Sequence, residues 1–220
     1  MKTKDRIIDA AINFFNQFGI ERVSLRQIAG SAGISHGNLA YHYKSKNEIL
    51  HAIYTRMDTE MSDAVFPKGD HSLEHYHNLL KRISAFQKNY EFFYMDLLAI
   101  AREYPEVIER HRKTITKRSK EYDHLIKHFI GKGLVKAEKE AGFYKSLFHS
   151  IWVMSTFWLQ QKKILGESHP LTSSGSDIKH VWEILLPHLT YAGLKEYQTF
   201  VNTDIYELRP IQKMYLNQLN

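Results

Sequence analysis

The chain has 220 residues, of which 43% are hydrophobic and 25% charged, and its formal net charge is +6 at pH 7. This length allows one or two domains with a substantial core. The basic balance favours a polyanionic partner such as nucleic acid or a membrane surface, although a merely basic protein has the same composition. Cysteine is absent from the sequence, which excludes disulfides, thiolate chemistry and cysteine-ligated zinc.

The N-terminal segment is charged and then amphipathic, without the unbroken apolar stretch of a signal peptide. No segment approaches the roughly 20 apolar residues that span a bilayer. We therefore expect a cytoplasmic protein with no membrane contact.

Helical periodicity and cap residues predict four helices in the first part of the chain, at 4–18, 25–31, 36–43 and 45–65. The first carries an apolar stripe and ends at Gly19. Capping boxes, Ser24 with Gln27 and Ser45 with Glu48, open the second and fourth helices, and Ser35 caps the third.

Beyond a break at 66–70, the remaining segments are also helical in pattern, at 72–89, 91–104, 105–130, 139–165 and 177–201. A tail after Asn202 has room for a last helix from 209 or 210. The prediction is an all-α protein. Residues 1–50 form a helix-turn-helix domain, which helix 45–65 links to a larger helical domain at 66–220.

A helix-turn-helix is predicted where Leu25–Ser31, the turn Ala32-Gly33-Ile34 and a helix from Ser35 follow one another. The start of the second helix would enter the major groove. Gly37 allows a close backbone approach there, and Asn38 and His42 have the chemistry to read base edges.

Residues 24–50, SLRQIAGSAGISHGNLAYHYKSKNEIL, resemble the DNA-binding signature of the TetR family of transcriptional regulators. The sequence departs from that signature at Ser24, where Thr is usual, at Ala40, where an aromatic residue is common, and at Tyr43, where Phe is usual. We expect Tyr43 to pack in the core rather than to contact DNA.

The resemblance implies phosphate contacts for Ser24, Arg26, Tyr41 and Lys46, and base contacts for Gly37, Asn38 and His42. The full set of expected DNA-binding residues is Ser24, Arg26, Ser35, His36, Gly37, Asn38, Tyr41, His42, Lys44 and Lys46.

The family resemblance also implies a homodimer in which the last two long helices of each subunit form a four-helix interface. The apolar residues of 139–165 surround almost the whole helix, more than one packing face needs. The expected interface residues are Phe148, Trp152, Leu159, Val181, Trp182, Leu185, Leu189 and Ala192. The alternative is a large monomer core.

A ligand cavity in the middle helices is a further implication, with a small apolar or aromatic effector. Its expected lining is Tyr90, Phe93, Tyr94, Asp96, Leu97, Ile100, Tyr122, Phe129, Trp152, Ser155 and Trp158. An aromatic stripe at helical spacing is also typical of ordinary core. Asp96 interrupts an apolar run. Three interpretations are open: its carboxylate anchors a polar group of the ligand, pairs with an arginine, or lies at the solvent-exposed edge of the helix.

No catalytic motif is present, so an enzyme, a cofactor and a metal site are not expected, although His71, His75 and His77 cluster in sequence. The expected function is a repressor that binds a palindromic operator on double-stranded DNA as a homodimer and is released by ligand. In this hypothesis a ligand-driven tilt of helix 45–65 changes the spacing of the two recognition helices. The alternatives are a ligand-independent architectural DNA-binding protein and a helical enzyme.

Overall fold

The computed structural model describes residues 2–65, 71–166, 169, 172 and 175–201. Within these ranges the fold is all-α, as expected, and the bridge between Val135 and Leu189 is the one strand-like pairing. The break expected at 66–70 and the tail after Asn202 lie outside the described residues. The helices are α1 (Thr3–Phe18), α2 (Leu25–Ser31), α3 (His36–His42), α4 (Lys46–Val65), α5 (Leu73–Asn89), α6 (Glu91–Met95), α7 (Leu97–Glu103), α8 (Pro105–Gly131), α9 (Phe143–Leu165), α10 (Ser176–Leu185), a 3₁₀ turn (Leu186–His188) and α11 (Tyr191–Val201).

The chain packs as two compact units. The first comprises Met1–Val65 and Ala85–Ile115, and the second comprises Phe66–Ser84 and Thr116–Asn220. The boundary between the units falls within α5 and within α8, so each of these helices has one part in the first unit and one part in the second. Helices α6 and α7 therefore pack with the N-terminal helices, although the sequence analysis assigned them to the larger domain.

The core of the first unit is built on the apolar stripe of α1. Ile7, Ala11 and Phe15 are fully buried, as the periodicity predicts. The Phe15 ring packs 5.2 Å from the ring of Phe92 on α6. Gly19 ends the helix at φ +79°, a conformation that glycine adopts without steric cost.

The second unit is centred on Trp182 of α10, which is 1% exposed. Its ring lies 5.7 Å from Tyr76 and 4.8 Å from Tyr197. Its indole Nε1 donates to Nδ1 of His77 at 3.1 Å, so the one polar group of the buried indole has a partner. Helices α5, α10 and α11 are thereby joined in one core.

The helix expected at 177–201 is wrong as a single element. Pro187 has no backbone N–H and cannot continue an α-helix, and α10 ends at Leu185 before a 3₁₀ turn. Leu189 is then extended, and Lys136 N donates to His188 O at 2.9 Å. The backbone at Gly193 lies so close to that of Leu134 that a Cβ there would be 2.0 Å from Leu134 O. Position 193 therefore requires glycine.

Two other boundaries differ from the sequence prediction. Residues 91–104 form two short helices that meet at Asp96 rather than one. Helix α9 begins at Phe143 instead of 139, because Gly142 is left-handed with φ +87°. None of the described helices has both the length and the apolar character needed to cross a membrane.

Candidate nucleic-acid interface

Helices α2 and α3 are fixed by the caps that the sequence predicts. Ser24 Oγ accepts from Gln27 N at 3.3 Å, and the Gln27 side chain accepts from Ser24 N at 2.8 Å, which completes a capping box. Ser35 Oγ accepts from Asn38 N at 3.1 Å at the start of α3. Both helices therefore begin at defined residues although each has only seven.

The turn between these helices depends on Gly33, whose φ is +65°. Ile34 N donates to Ala29 O at 3.0 Å and closes the turn. The Arg6 guanidinium donates to Ala32 O from α1, and a Cβ on Gly33 would lie 2.9 Å from Nη2 of that arginine. Substitution of Gly33 is thus opposed by backbone strain, whereas the end of the flexible Arg6 side chain could move aside.

Helix α3 buries one face and presents the other to solvent. Leu39 is fully buried and Tyr43 is buried at the helix end. The outward positions include most of the expected DNA contacts, namely Ser35, His36, Gly37, Asn38, Tyr41 and Lys44. Tyr41 is 84% exposed, and His42 is half-buried with its ring 5.2 Å from that of Tyr41.

Gly37 lies in open space on this face. A Cβ placed there would have one neighbour, Ser35 Oγ at 4.0 Å. The protein's own packing therefore does not require glycine at this position. A small residue is what a backbone needs for close approach to a duplex.

Lys46 has a structural partner that the sequence analysis missed. Its Nζ donates to Ile20 O at 2.8 Å and lies 3.4 Å from Glu21 O. Burial lowers the pKa of Lys46, and the nearby Glu21 carboxylate opposes that shift. The ammonium thus ties the first turn of α4 to the segment after α1. Its expected phosphate contact stays a prediction.

Ser24, like Lys46, already has a hydrogen-bond partner within the protein, because its hydroxyl donates to Gln27 Oε1 at 2.8 Å. A phosphate contact from this hydroxyl requires that bond to be exchanged. Arg26 is exposed on α2. Between residues 20 and 48 the chain carries four lysines and arginines against two glutamates, so this segment has a net positive charge that suits a phosphate backbone.

Asp96 forms a second tie to the end of α1. Its Oδ2 accepts from Ile20 N at 2.8 Å. Nearby, Asn16 Oδ1 accepts from Phe92 N at 2.9 Å, and the Asn16 amide donates to Asn89 O at 2.9 Å. The sequence signal was the acidic residue inside an apolar run. Its partner, 76 residues away, could not be read from the sequence.

The candidate ligand-lining residues are divided between the two units. Tyr90, Phe93, Tyr94, Asp96, Leu97 and Ile100 belong to the first unit, and Tyr122, Phe129, Trp152, Ser155 and Trp158 belong to the second. Phe93 is buried against Tyr54 and His111, at ring distances of 5.5 and 5.3 Å. A small cavity of about 10 Å³ in the second unit is lined in part by Phe129.

The candidate interface residues also differ in exposure. Val181, Trp182, Leu185, Leu189 and Leu159 are buried within the single chain, so they stabilise the unit itself rather than offering surface to a partner. Phe148 and Trp152 are half-buried, and Ala192 is exposed. The exposed large apolar residues of α9 lie outside that expected interface set: Phe143, Val153, Phe157, Ile164 and Leu165.

Two family models match the chain. Residues 7–53 match the model described as bacterial regulatory proteins, tetR family, and residues 56–197 match the TetR model described as bacterial transcriptional repressor. Six curated proteins named as helix-turn-helix-type regulators are 29–40% identical over 50 to 62 residues. The chain spans 24–39% of the length of those relatives.

A longer match is to IcaR, the biofilm operon icaADBC negative transcriptional regulator of Staphylococcus epidermidis, 26% identical over 75% of this chain and 90% of IcaR. Among solved structures, a TetR-family regulator from Marinobacter aquaeolei is 22% identical, with a TM-score of 0.80 over 98% of this chain and 99% of its own. SmeT, the repressor of the Stenotrophomonas maltophilia multidrug efflux pump SmeDEF, is similar both alone and in its triclosan complex. The identities are 17% and 16%, the TM-score is 0.61 for each, and 86% of this chain and 92% of SmeT are covered.

Proposed function

The chain belongs to the TetR family of bacterial regulatory proteins, and we propose that it is a dimeric repressor that releases its operator when a small effector binds. The observation that carries this proposal is the outward face of α3. Its cap is set by Ser35, its buried side by Leu39, and its exposed side by Gly37, Asn38 and Tyr41. Members of this family are regulators rather than enzymes, which argues against the enzyme alternative.

In the proposed complex the N-terminal end of α3 lies in the major groove. Asn38 and His42 read base edges, and Gly37 allows the backbone to approach. Phosphates are bound by exposed side chains around them and by the amides at the helix starts, with Arg26, Tyr41 and Lys44 as the principal candidates.

A homodimer through α9 is the second part of the proposal. Val153, Phe157 and Ile164 are 42%, 37% and 74% exposed in the single chain, and their spacing places them along one side of the helix. Large apolar side chains that share one helical face are typical of a protein interface. A two-fold dimer presents two copies of α3 to two half-sites.

Coupling to an effector is the third part. Along α4, Tyr54 donates to Thr114 Oγ1 at 3.3 Å, and Thr114 donates to Asp58 Oδ1 at 3.1 Å. Arg110 donates to Asp58 Oδ2 at 3.0 Å. The first part of α8 is therefore bonded to α4, and the same helix continues into the second unit. An effector that displaces α8 would move α4 and the attached recognition helix.

In functional terms we assign DNA binding to residues 1–50, linkage to 45–65, and effector binding and dimerisation to 66–220. The effector is a small apolar or aromatic molecule, consistent with the aromatic side chains around Tyr122 and Phe129 in the second unit. The complex of SmeT with triclosan shows that a structurally similar protein takes a ligand.

The test is to pass fragmented bacterial genomic DNA over the purified protein and to sequence what is retained. The proposal predicts enrichment of one inverted repeat, with little enrichment by an Asn38→Ala variant. The matched control Asn13→Ala removes an exposed amide on α1 and should retain the same fragments as wild type. Retention of fragments with no shared sequence would contradict the proposal and support the architectural alternative.

A further inference from the structure

Helix α8 buries two polar side chains one turn apart in the second unit. Arg118 is 7% exposed and Tyr122 is 5% exposed. Residues four apart share a helix face, so the two side chains project to the same side of α8. A buried arginine in an otherwise apolar interior is uncommon, because its charge has to be paired.

Part of each side chain has no hydrogen-bond partner within the described chain. Arg118 Nη1 donates to Glu121 Oε2 at 2.7 Å, but its buried Nε has no acceptor there, and the buried hydroxyl of Tyr122 has no partner. Leaving such groups unsatisfied is costly, and native structures contain few of them. Two unsatisfied donors on adjacent turns of one helix indicate that a bound molecule supplies a hydrogen-bond acceptor to both.

The guanidinium of Arg118 makes an anionic oxygen the preferred acceptor for these groups. Lys117 Nζ lies 3.9 Å from Glu121 Oε1, on the other oxygen of the carboxylate that binds Arg118. The Lys117 side chain is 57% exposed and is screened by solvent, whereas Arg118 is 8% exposed, so the buried ion pair is that of Arg118 with Glu121. Among the described residues the guanidinium keeps a free N–H donor on the same helix face as the Tyr122 hydroxyl, and a donor on a cation hydrogen-bonds an anionic oxygen more strongly than a neutral one.

The remaining surroundings are aromatic and apolar. The Tyr122 ring lies 4.9 Å from Phe148, which lies 5.7 Å from Trp152. Burial raises the pKa of Tyr122, and the nearby phenols of Tyr76 and Tyr144 raise it further, so that the hydroxyl keeps its proton and remains a donor.

Tyr76 and Tyr144 also line the small cavity of the second unit. Its volume of about 10 Å³ is close to the minimum for one water molecule. Neither Arg118 nor Tyr122 is part of its lining, so an organic ligand that occupies the cavity and reaches them must widen it, and this would displace α8. Leu125, Ile126 and Phe129 of α8 form part of the same lining.

We propose that Arg118 and Tyr122 form the polar end of the effector site and that the effector is an apolar molecule with a single anionic group, such as an aromatic or aliphatic acid. The Arg118 Nε–H and the Tyr122 hydroxyl donate to the anionic oxygens, and the aromatic residues contact the apolar body. This inference rests on the proposed function, because it names the chemistry of the ligand that the regulator senses.

The test uses two probes that differ by one anionic group, 8-anilinonaphthalene-1-sulfonate and the neutral N-phenyl-1-naphthylamine. Their affinities are measured by fluorescence titration of the full chain without DNA. Arg118→Met should weaken sulfonate binding about tenfold or more, as expected for loss of a hydrogen bond to a charged group. Binding of the neutral probe should change little. The control Lys120→Met, on an exposed position of the same helix, should change neither affinity.

Tyr122→Phe keeps the fold testable, because it removes only the unpartnered hydroxyl. It should weaken sulfonate binding about two- to tenfold. Its melting temperature should equal or exceed that of wild type, since a buried unsatisfied group is lost. Wild-type sulfonate affinity in this variant would overturn the proposal. So would an equal loss of both probes in Arg118→Met, because that indicates a packing defect rather than a lost charge contact.

A separate measurement distinguishes this inference from the proposed function. The sulfonate is titrated into the complex of the protein with its retained DNA. Probe binding that depends on Arg118 and Tyr122 supports the site whether or not DNA is released. If the DNA then stays bound, the release step of the proposed function is contradicted while the site stands.

Discussion

Lys46 has two candidate roles that can be separated at the level of one side chain. A cation in the first turn of a helix opposes the helix dipole, so the position needs a compensating partner. The structure supplies the carbonyls of Ile20 and Glu21, at 2.8 and 3.4 Å. An ammonium has three donors, so one remains for a phosphate. The structural bonds are present without DNA and should dominate the effect of substitution.

We therefore predict that Lys46→Ala lowers the free energy of unfolding by about 1 kcal/mol, the typical net value of a partly exposed hydrogen-bonded charge. Urea unfolding monitored by circular dichroism measures the change. Lys44→Ala, at an exposed neighbouring position, should leave the midpoint unchanged. An unchanged Lys46→Ala midpoint, combined with a smaller salt dependence of DNA binding, would instead assign its ammonium to a phosphate.

Asn38 is the exposed side chain on which we expect sequence choice to depend most. Replacing it with alanine should cost about 1–3 kcal/mol on the preferred site, the value of a good base contact, and little on unrelated DNA. Competition titrations with operator and scrambled duplexes measure both affinities. His42→Ala should behave in the same way. Equal losses on the two duplexes would show that these residues contact only the backbone or support the fold.

Among the elements, α4 and the first part of α8 are joined by a polar network around the half-buried His111. His111 Nδ1 lies 3.1 Å from the Tyr54 hydroxyl, and its ring lies 5.3 Å from Phe93. Burial lowers the pKa of His111 to about 4, although Asp58 opposes the shift. The folded protein therefore keeps this imidazole neutral where the unfolded chain protonates it.

Stability should fall as the pH decreases through this range. Between the unfolded pKa near 6.5 and the folded value the unfolded chain binds more protons, so this contribution is complete above pH 6.5 and is lost towards pH 4. From pH 7 to pH 5 wild type should lose about 2 kcal/mol more than His111→Gln in urea unfolding. The exposed His124→Gln should match wild type. Parallel pH profiles for wild type and His111→Gln would refute the prediction.

The sequence predicts elements well where the signal is local. The caps at Ser24 and Ser35 and the glycine turn at Gly33 could be read directly, because each depends on residues within a few positions. The ties of Lys46 and Asp96 to Ile20 could not, because their partners lie 26 and 76 residues away. The break at Pro187 was present in the sequence but was obscured by the apolar periodicity on both sides of it.

The interface prediction shows the same limit for the choice between core and surface. Apolar periodicity identifies α9 and α10 as heavily buried, but it does not show which face is covered within one chain. The structure buries Val181 and Trp182 internally and leaves Val153 and Ile164 exposed. Only the tertiary packing could separate these two groups.

For the whole molecule, we predict that Val153→Glu combined with Ile164→Glu gives a monomer, because each carboxylate would be desolvated in a dimer interface. Sedimentation velocity measures the mass, and operator affinity should fall with it because two half-sites are no longer bound together. Leu98→Glu, at a position 64% exposed on α7, is the matched control and should stay dimeric. A dimeric double variant would place the interface elsewhere.

Effector and operator should also oppose each other reciprocally. If the effector weakens DNA binding, DNA must weaken effector binding by the same factor, typically about 5- to 150-fold. Ligand affinity that is the same with and without operator would remove the coupling assigned to α4 and α8.

In the proposed repressor, two copies of α3 related by a dimer axis read two half-sites. Hydroxyl-radical footprinting of the retained DNA fragment tests this directly. We expect two protected segments related by two-fold symmetry, with centres about one helical turn or a multiple of it apart, and loss of both segments in Asn38→Ala. A single asymmetric segment, or uniform protection along the fragment, would contradict it.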